Sequence, residues 1–214
     1  MKIFDISPLV SQDLAVFPGD IPFEREVSMD FGQGDHLLLS SMRTTMHIGA
    51  HADAPNHYNA AGTDIASRPL ARYLGPCQVI AVDLAACARI YPADVAGQPI
   101  TASRVLFRTG SFPDPNRWND DFNSLSPELI HDLADRGVTL VGIDTPSIDP
   151  APSKELESHQ AVWQRDLAVL EGIVLDEVPA GEYLLVALPL KIKGADASPV
   201  RAVLLERPAG WPAN

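Results

Sequence analysis

His47-Ile-Gly-Ala-His51-Ala-Asp53-Ala-Pro-Asn-His57 is the stretch on which the reading of this chain turns. It gathers half of the sequence's six histidines around one aspartate. Imidazoles and a carboxylate crowded together compete for partners unless a cation organises them. Imidazole nitrogen with carboxylate oxygen is also the ligand set preferred by zinc and its first-row neighbours. A metal site is therefore expected. A single histidine would more simply be a hydrogen-bonded core or surface residue, but four donors this close favour coordination. An extended strand would carry His51 roughly 13 Å from His47 at about 3.3 Å per residue. A helical turn would bring them within about 5–6 Å but swing Asp53 away, and Gly49 and Pro55 oppose a long helix. The expected solution is a bend at Gly49-Ala50 that wraps the donors around an ion, with Pro55 stiffening the exit and aiming His57.

A second donor pair lies downstream in Leu156-Glu157-Ser158-His159-Gln160 and Leu170-Glu171-Gly172. His159 is expected at the start of a short helix over 160–168. Glu171 interrupts an apolar run, where a carboxylate is costly to bury unless it is paired or bound to metal. His36, before Leu37-Leu-Leu39, and His131, inside a helical segment, are read as structural.

Outward from these clusters, the pattern is that of a mixed α/β chain of 214 residues, one domain over 1–214 with no linker, repeat or low-complexity tract. Strand-like runs cover 2–6, 37–41, 79–84, 105–108, 138–143, 183–188 and 200–205, separated by loops carrying many of the 19 prolines. One helix is clearly signalled, with Ser126 as N-cap, Pro127 at the first position, Glu128 near the positive end of the dipole and Gly137 beyond its end. The segment 153–170 should contain a second. The loop 110–125, with Phe112, Pro113, Pro115 and Trp118, reads as a pocket lid, a subunit contact or an ordinary surface loop.

A formal net charge of −12 argues against nucleic-acid binding, which needs clustered Lys and Arg. Cys77 and Cys87 lack metal-ligand spacing and read as reduced, partly buried residues. The start Met1-Lys-Ile-Phe-Asp5 turns acidic too soon for a signal peptide, and no apolar run approaches the roughly 20 residues of a membrane span. A cytoplasmic protein is the expectation. No Gly-x-Ser-x-Gly elbow is present, so a serine-hydrolase route has no visible nucleophile.

Residues 47 to 57 together with Gly142-Ile-Asp144-Thr-Pro-Ser-Ile-Asp149, the pair His159 and Glu171, and Val16-Phe17-Pro18-Gly19-Asp20 resemble the bacterial kynurenine formamidases of the metal-dependent cyclase superfamily. Val178-Pro-Ala-Gly-Glu-Tyr, Leu188-Pro-Leu and Ala197-Ser-Pro-Val-Arg201-Ala look like the same branch, so the resemblance spans almost the whole chain. Ala50, where the wider superfamily usually has Thr, favours that branch; Phe17 stands where many members carry Trp.

The resemblance implies a swivelling β/β/α fold and a site for two divalent ions, zinc foremost, with manganese, cobalt or cadmium as substitutes. His47, His51 and Asp53 would hold one ion, His159 would serve the second, and Asp53 and Glu171 would bridge or share the pair. It further implies that His57 is the acid/base group rather than a ligand, and that Phe17 walls a pocket for N-formylkynurenine in a homodimeric enzyme. Two other readings stay open, a related amide or lactam hydrolase such as one opening isatin, and a non-catalytic metal-binding protein. The latter is disfavoured because structural zinc sites usually lean on cysteine.

Overall fold

Runs such as Val105-Leu106-Phe107 and Leu140-Val141 have no polar alternation, so neither face can be left to water and they belong in the middle of a covered sheet. A computed structural model, which describes residues 1–206, has them there. Residues 207–214 of the expected domain lie outside the described residues.

The strands and helices in chain order are β1 (Ile3–Asp5), β2 (Glu24–Met29), β3 (Leu39–Arg43), β4 (His51–Asp53), β5 (Leu74–Ala81), β6 (Arg89–Ile90), β7 (Arg104–Arg108), β8 (Ser124–Leu125), α1 (Pro127–Asp135), β9 (Leu140–Ile143), α2 (Glu157–Arg165), β10 (Ala168–Glu171), β11 (Gly181–Val186), β12 (Ala197–Pro199) and β13 (Val203–Glu206). One nine-stranded sheet runs in the order β1-β13-β11-β5-β7-β9-β10-β4-β12. Its centre, β5, β7, β9 and β10, is parallel, and the strands on either flank are antiparallel. The expected mixed α/β architecture is the observed one.

Both faces of the sheet are covered. One carries Ala52, Leu106, Leu140 and Leu170 in a cluster with Ile65, Tyr73, Leu175 and Val178 from outside the strands. The other carries Val105, Phe107, Val141 and Val169 against Leu129, Ile130 and Leu133 of α1 and Ala161 and Val162 of α2. Each buried Val, Leu, Ile or Phe among them is worth about 1.5–3 kcal/mol over exposure. Helix α1 begins as its sequence dictates, with Ser126 Oγ accepting from the Leu129 amide at 3.1 Å and Pro127 leading the first turn.

Each of the seven expected strand runs has a counterpart, with shifted ends. β5 reaches back to Leu74 through Gly75 and Pro76, because its ladder with β7 starts only at Gln78 and the missing amide of Pro76 is not needed on that side. The helix expected over 160–168 instead spans Glu157–Arg165, and Ala168-Val-Leu-Glu171 is strand β10. Four buried residues are too few for periodicity to tell strand from helix. β2 and β3 form a separate two-stranded ribbon on which Val27, Leu39 and Met42 remain exposed. Cys77 is buried, but Cys87 is exposed rather than partly buried, because it sits in a surface turn. No helix among the described residues is long and apolar enough to cross a membrane.

Candidate metal centre

The chain bends at Gly49-Ala50 as expected, and the bend has a specific backbone cause. Gly49 adopts φ +55°, and a β-carbon on Gly172 (φ +63°) would lie 2.2 Å from the Gly49 carbonyl oxygen. Two turns thus touch through glycine, which lets β4 and β10 end side by side. After the bend the extended run lasts only three residues, so His51 and Asp53, at positions i and i+2, share a face. Antiparallel pairing sets Glu171 opposite His51. His47 enters from before the bend, and His159 descends from the first turn of α2 onto the same face.

Asp53 stands at the centre. Its Oδ1 lies 3.1 Å from His47 Nδ1 and 3.5 Å from His51 Nε2, and its Oδ2 lies 3.2 Å from His159 Nε2. Glu171 Oε2 lies 3.2 Å from His51 Nε2, and Oε1 lies 3.4 Å from His159 Nε2 while accepting the Ile148 amide at 2.7 Å. Two groups result, His47/His51/Asp53 and Asp53/His159/Glu171, each with one donor atom per residue within 4.8 Å of the others. The structure therefore brings together all five residues that the sequence singled out as ligands, with Asp53 common to both groups.

Asp53 and Glu171 are at most 2% exposed, so their charges must be compensated within the protein. With protons alone, burial works against the charged states of Asp53, Glu171, His159 and His47, yet the mutual attraction outweighs it. Asp53 and Glu171 are held low by the adjoining imidazoles, His159 is raised well above the usual histidine range, and His47 is raised to about 9 by Asp53 and Asp196. Asp53 Oδ1 is nonetheless buried without a well-formed hydrogen bond. A buried carboxylate oxygen aimed between two imidazole nitrogens fits a divalent cation better than it fits a proton.

His57 occupies a different position. It closes a single turn of 3-10 helix over Pro55–His57, its ring centroid is 4.2 Å from that of His47, and a third of its side chain is exposed to the cavity above the cluster. Burial lowers its pKa below the ordinary value, with the charge of Asp53 opposing. A third group joins His47 and His57 to Asp196, whose Oδ2 lies 3.1 Å from His47 Nε2 and 3.7 Å from His57 Nδ1. Sequence reasoning missed Asp196, as it missed Asp149, whose Oδ2 is 2.8 Å from His159 Nδ1. Asp149 ends a segment quoted above and Asp196 lies one residue before another, but nothing local marks either one. Asp196 arrives through the pairing of β12 with β4. His36 and His131 join no group of potential ligands among the described residues.

The cavity measures about 360 Å³ and is lined by His47, His51, His57, His159 and Glu171 of the cluster and by Phe17, Phe112, Pro115 and Trp118. Phe17 and Trp118 meet edge to face at 5.1 Å. The loop 110–125 thus serves as cavity wall. Asp144 anchors its start by accepting from the Thr109 amide (2.8 Å), Thr109 Oγ1 (2.6 Å) and the Gly110 amide (2.9 Å).

A buried histidine–carboxylate cluster at the floor of an aromatic cavity defines a hydrolytic enzyme class, and comparison with known proteins agrees. The model of the family described as putative cyclase matches residues 4–150. A kynurenine formamidase of Maricaulis maris is 44% identical over 208 residues, covering 97% of this chain and 99% of its own. That of Bordetella petrii is 46% identical over 210 residues, covering 96% and 98%. A predicted metal-dependent hydrolase from Bacillus stearothermophilus superposes with a TM-score of 0.81 at 28% identity, over 96% of this chain and 98% of that one. Isatin hydrolase A from Labrenzia aggregata shares the fold at 22% identity, with a TM-score of 0.81 over 96% and 94%. The chain belongs to the cyclase family, in the group that contains the kynurenine formamidases.

Proposed function

We propose that this enzyme hydrolyses N-formyl-L-kynurenine to L-kynurenine and formate, as a step of tryptophan breakdown, at a site for two divalent ions. The observation that carries the reading is Asp53, one buried carboxylate whose two oxygens face two separate donor groups. Near-full-length identity of about 45% to kynurenine formamidases supports the substrate. Isatin opening has only the shared fold in its favour.

Ions held by His47, His51 and Asp53 and by Asp53, His159 and Glu171 would supply an activated water and polarise the formyl carbonyl. The chain's own groups do the rest. Phe17, with Trp118 beside it, offers the aromatic ring a wall. His57, neutral at pH 7 because burial lowers its pKa, can accept the proton of the attacking water. It can then return that proton to the aniline nitrogen as the C–N bond breaks, so that water is divided between formate and the freed amine.

We read the enzyme as a zinc enzyme that manganese, cobalt or cadmium could also serve, cytoplasmic, and a homodimer. Two free cysteines suit a reducing compartment, and the exposed apolar side chains of the β2–β3 ribbon offer a second copy a surface to cover. Formate release from N-formylkynurenine, with isatin in a parallel reaction, tests the substrate. Faster opening of isatin would replace the formamidase reading.

A further inference from the structure

The nitrogen of each cluster imidazole that points away from the carboxylate pair is engaged, each by a different acceptor. His51 Nδ1 donates to the Gly49 carbonyl at 2.8 Å, His159 Nδ1 to Asp149 Oδ2 at 2.8 Å and His47 Nε2 to Asp196 Oδ2 at 3.1 Å. With a cation on the inner side, the inner nitrogen of each ring must offer its lone pair, so the one N–H of a neutral imidazole sits on the outer nitrogen, where the carboxylate or carbonyl accepts it. That leaves Nε2 of His51 and His159, but Nδ1 of His47, directed at Asp53.

We infer that Asp149 and Asp196 are positioning residues for the two halves of the centre. Asp149 fixes His159 to present Nε2, and Asp196 fixes His47 to present Nδ1. The inference rests on the two-ion reading. Asp149 is fully buried and cannot swing. Its Oδ1 accepts from the Ser158 amide at 3.0 Å and from Arg89 Nη1 at 3.2 Å, and its Oδ2 also accepts the His159 amide at 3.0 Å. Arg89 is held in turn by the Leu125 carbonyl, Ser158 Oγ and Glu157. One carboxylate therefore caps the start of α2, whose own N-cap residue, Leu156, offers no side-chain acceptor, and aims the histidine that this helix carries. Asp196 is placed by its backbone, its carbonyl accepting from the Ala54 amide at 2.8 Å. A carboxylate behind an imidazole fixes the ring and makes it a stronger donor to metal.

Metal affinity tests this without turnover. Chelator-stripped protein is titrated with zinc against a chromophoric chelator, and His47→Ala and His159→Ala identify which equivalent belongs to which group. Asp196→Ala should weaken by about 10–100-fold the equivalent that His47→Ala removes, and Asp149→Asn the one that His159→Ala removes. Asp196 is half-exposed, so its variant decides the matter even where Asp149→Asn does not fold. Wild-type affinity for both equivalents in Asp196→Ala, or weakening of the His159 equivalent instead, would overturn the inference. Fewer than two equivalents in the unaltered protein would overturn the two-ion reading and the inference with it.

Discussion

Asp53 and His57 lie four positions apart after the same bend, yet their surroundings give them opposite tasks. Asp53 is sealed among three imidazoles, whereas His57 keeps a third of its side chain open to the cavity. His57→Ala should therefore retain the metal content of the parent and lose about 10²–10⁴ in kcat, the range for a positioned acid/base. Loss of metal in that variant would make His57 a ligand, and near-normal turnover would remove it from the mechanism. Phe17 is 45% exposed although it is large and apolar, which suits a wall that awaits a ring. Phe17→Ala should reduce kcat/KM for the aromatic substrate by about 1–3 kcal/mol and leave small aliphatic formamides nearly unchanged. An equal loss for both substrate classes would assign Phe17 to the fold alone.

Between elements, the decisive contact is the one between the turns at Gly49 and Gly172. Gly172→Ala adds a β-carbon 2.2 Å from a backbone oxygen at a φ that non-glycine residues resist, so it should destabilise the protein by more than about 1 kcal/mol and loosen the register of His51 against Glu171. Chemical denaturation and metal retention check it, and parent-like values in both would show that the turns can part freely. This contact also marks where the sequence stops being legible. The bend, the N-cap of α1 and the central strands are written in local residue types. So are the candidate donors, because metal chemistry restricts which side chains can serve. Strand β10 was hidden because four buried residues carry no period. The start of α2 was displaced because its cap comes from Asp149, outside the helix signal, and Asp196 was invisible because its role depends on β12 lying beside β4.

At the scale of the molecule, a nine-stranded sheet covered on both faces carries the centre at the end where β4 and β10 meet, while the β2–β3 ribbon packs into neither core cluster. A two-stranded ribbon is marginal alone in water, so a second copy should cover it. Sedimentation should give the mass of two chains, and Met42→Asp together with Val27→Asp should shift it toward one. A single-chain mass for the unaltered protein would refute the dimer. The central claim is that one carboxylate serves two ions, and the metal content of fully active enzyme tests it most directly. Two divalent ions per chain are predicted, with activity lost on exhaustive chelation and restored by metal; one ion per chain at full activity, or activity indifferent to chelation, would contradict it.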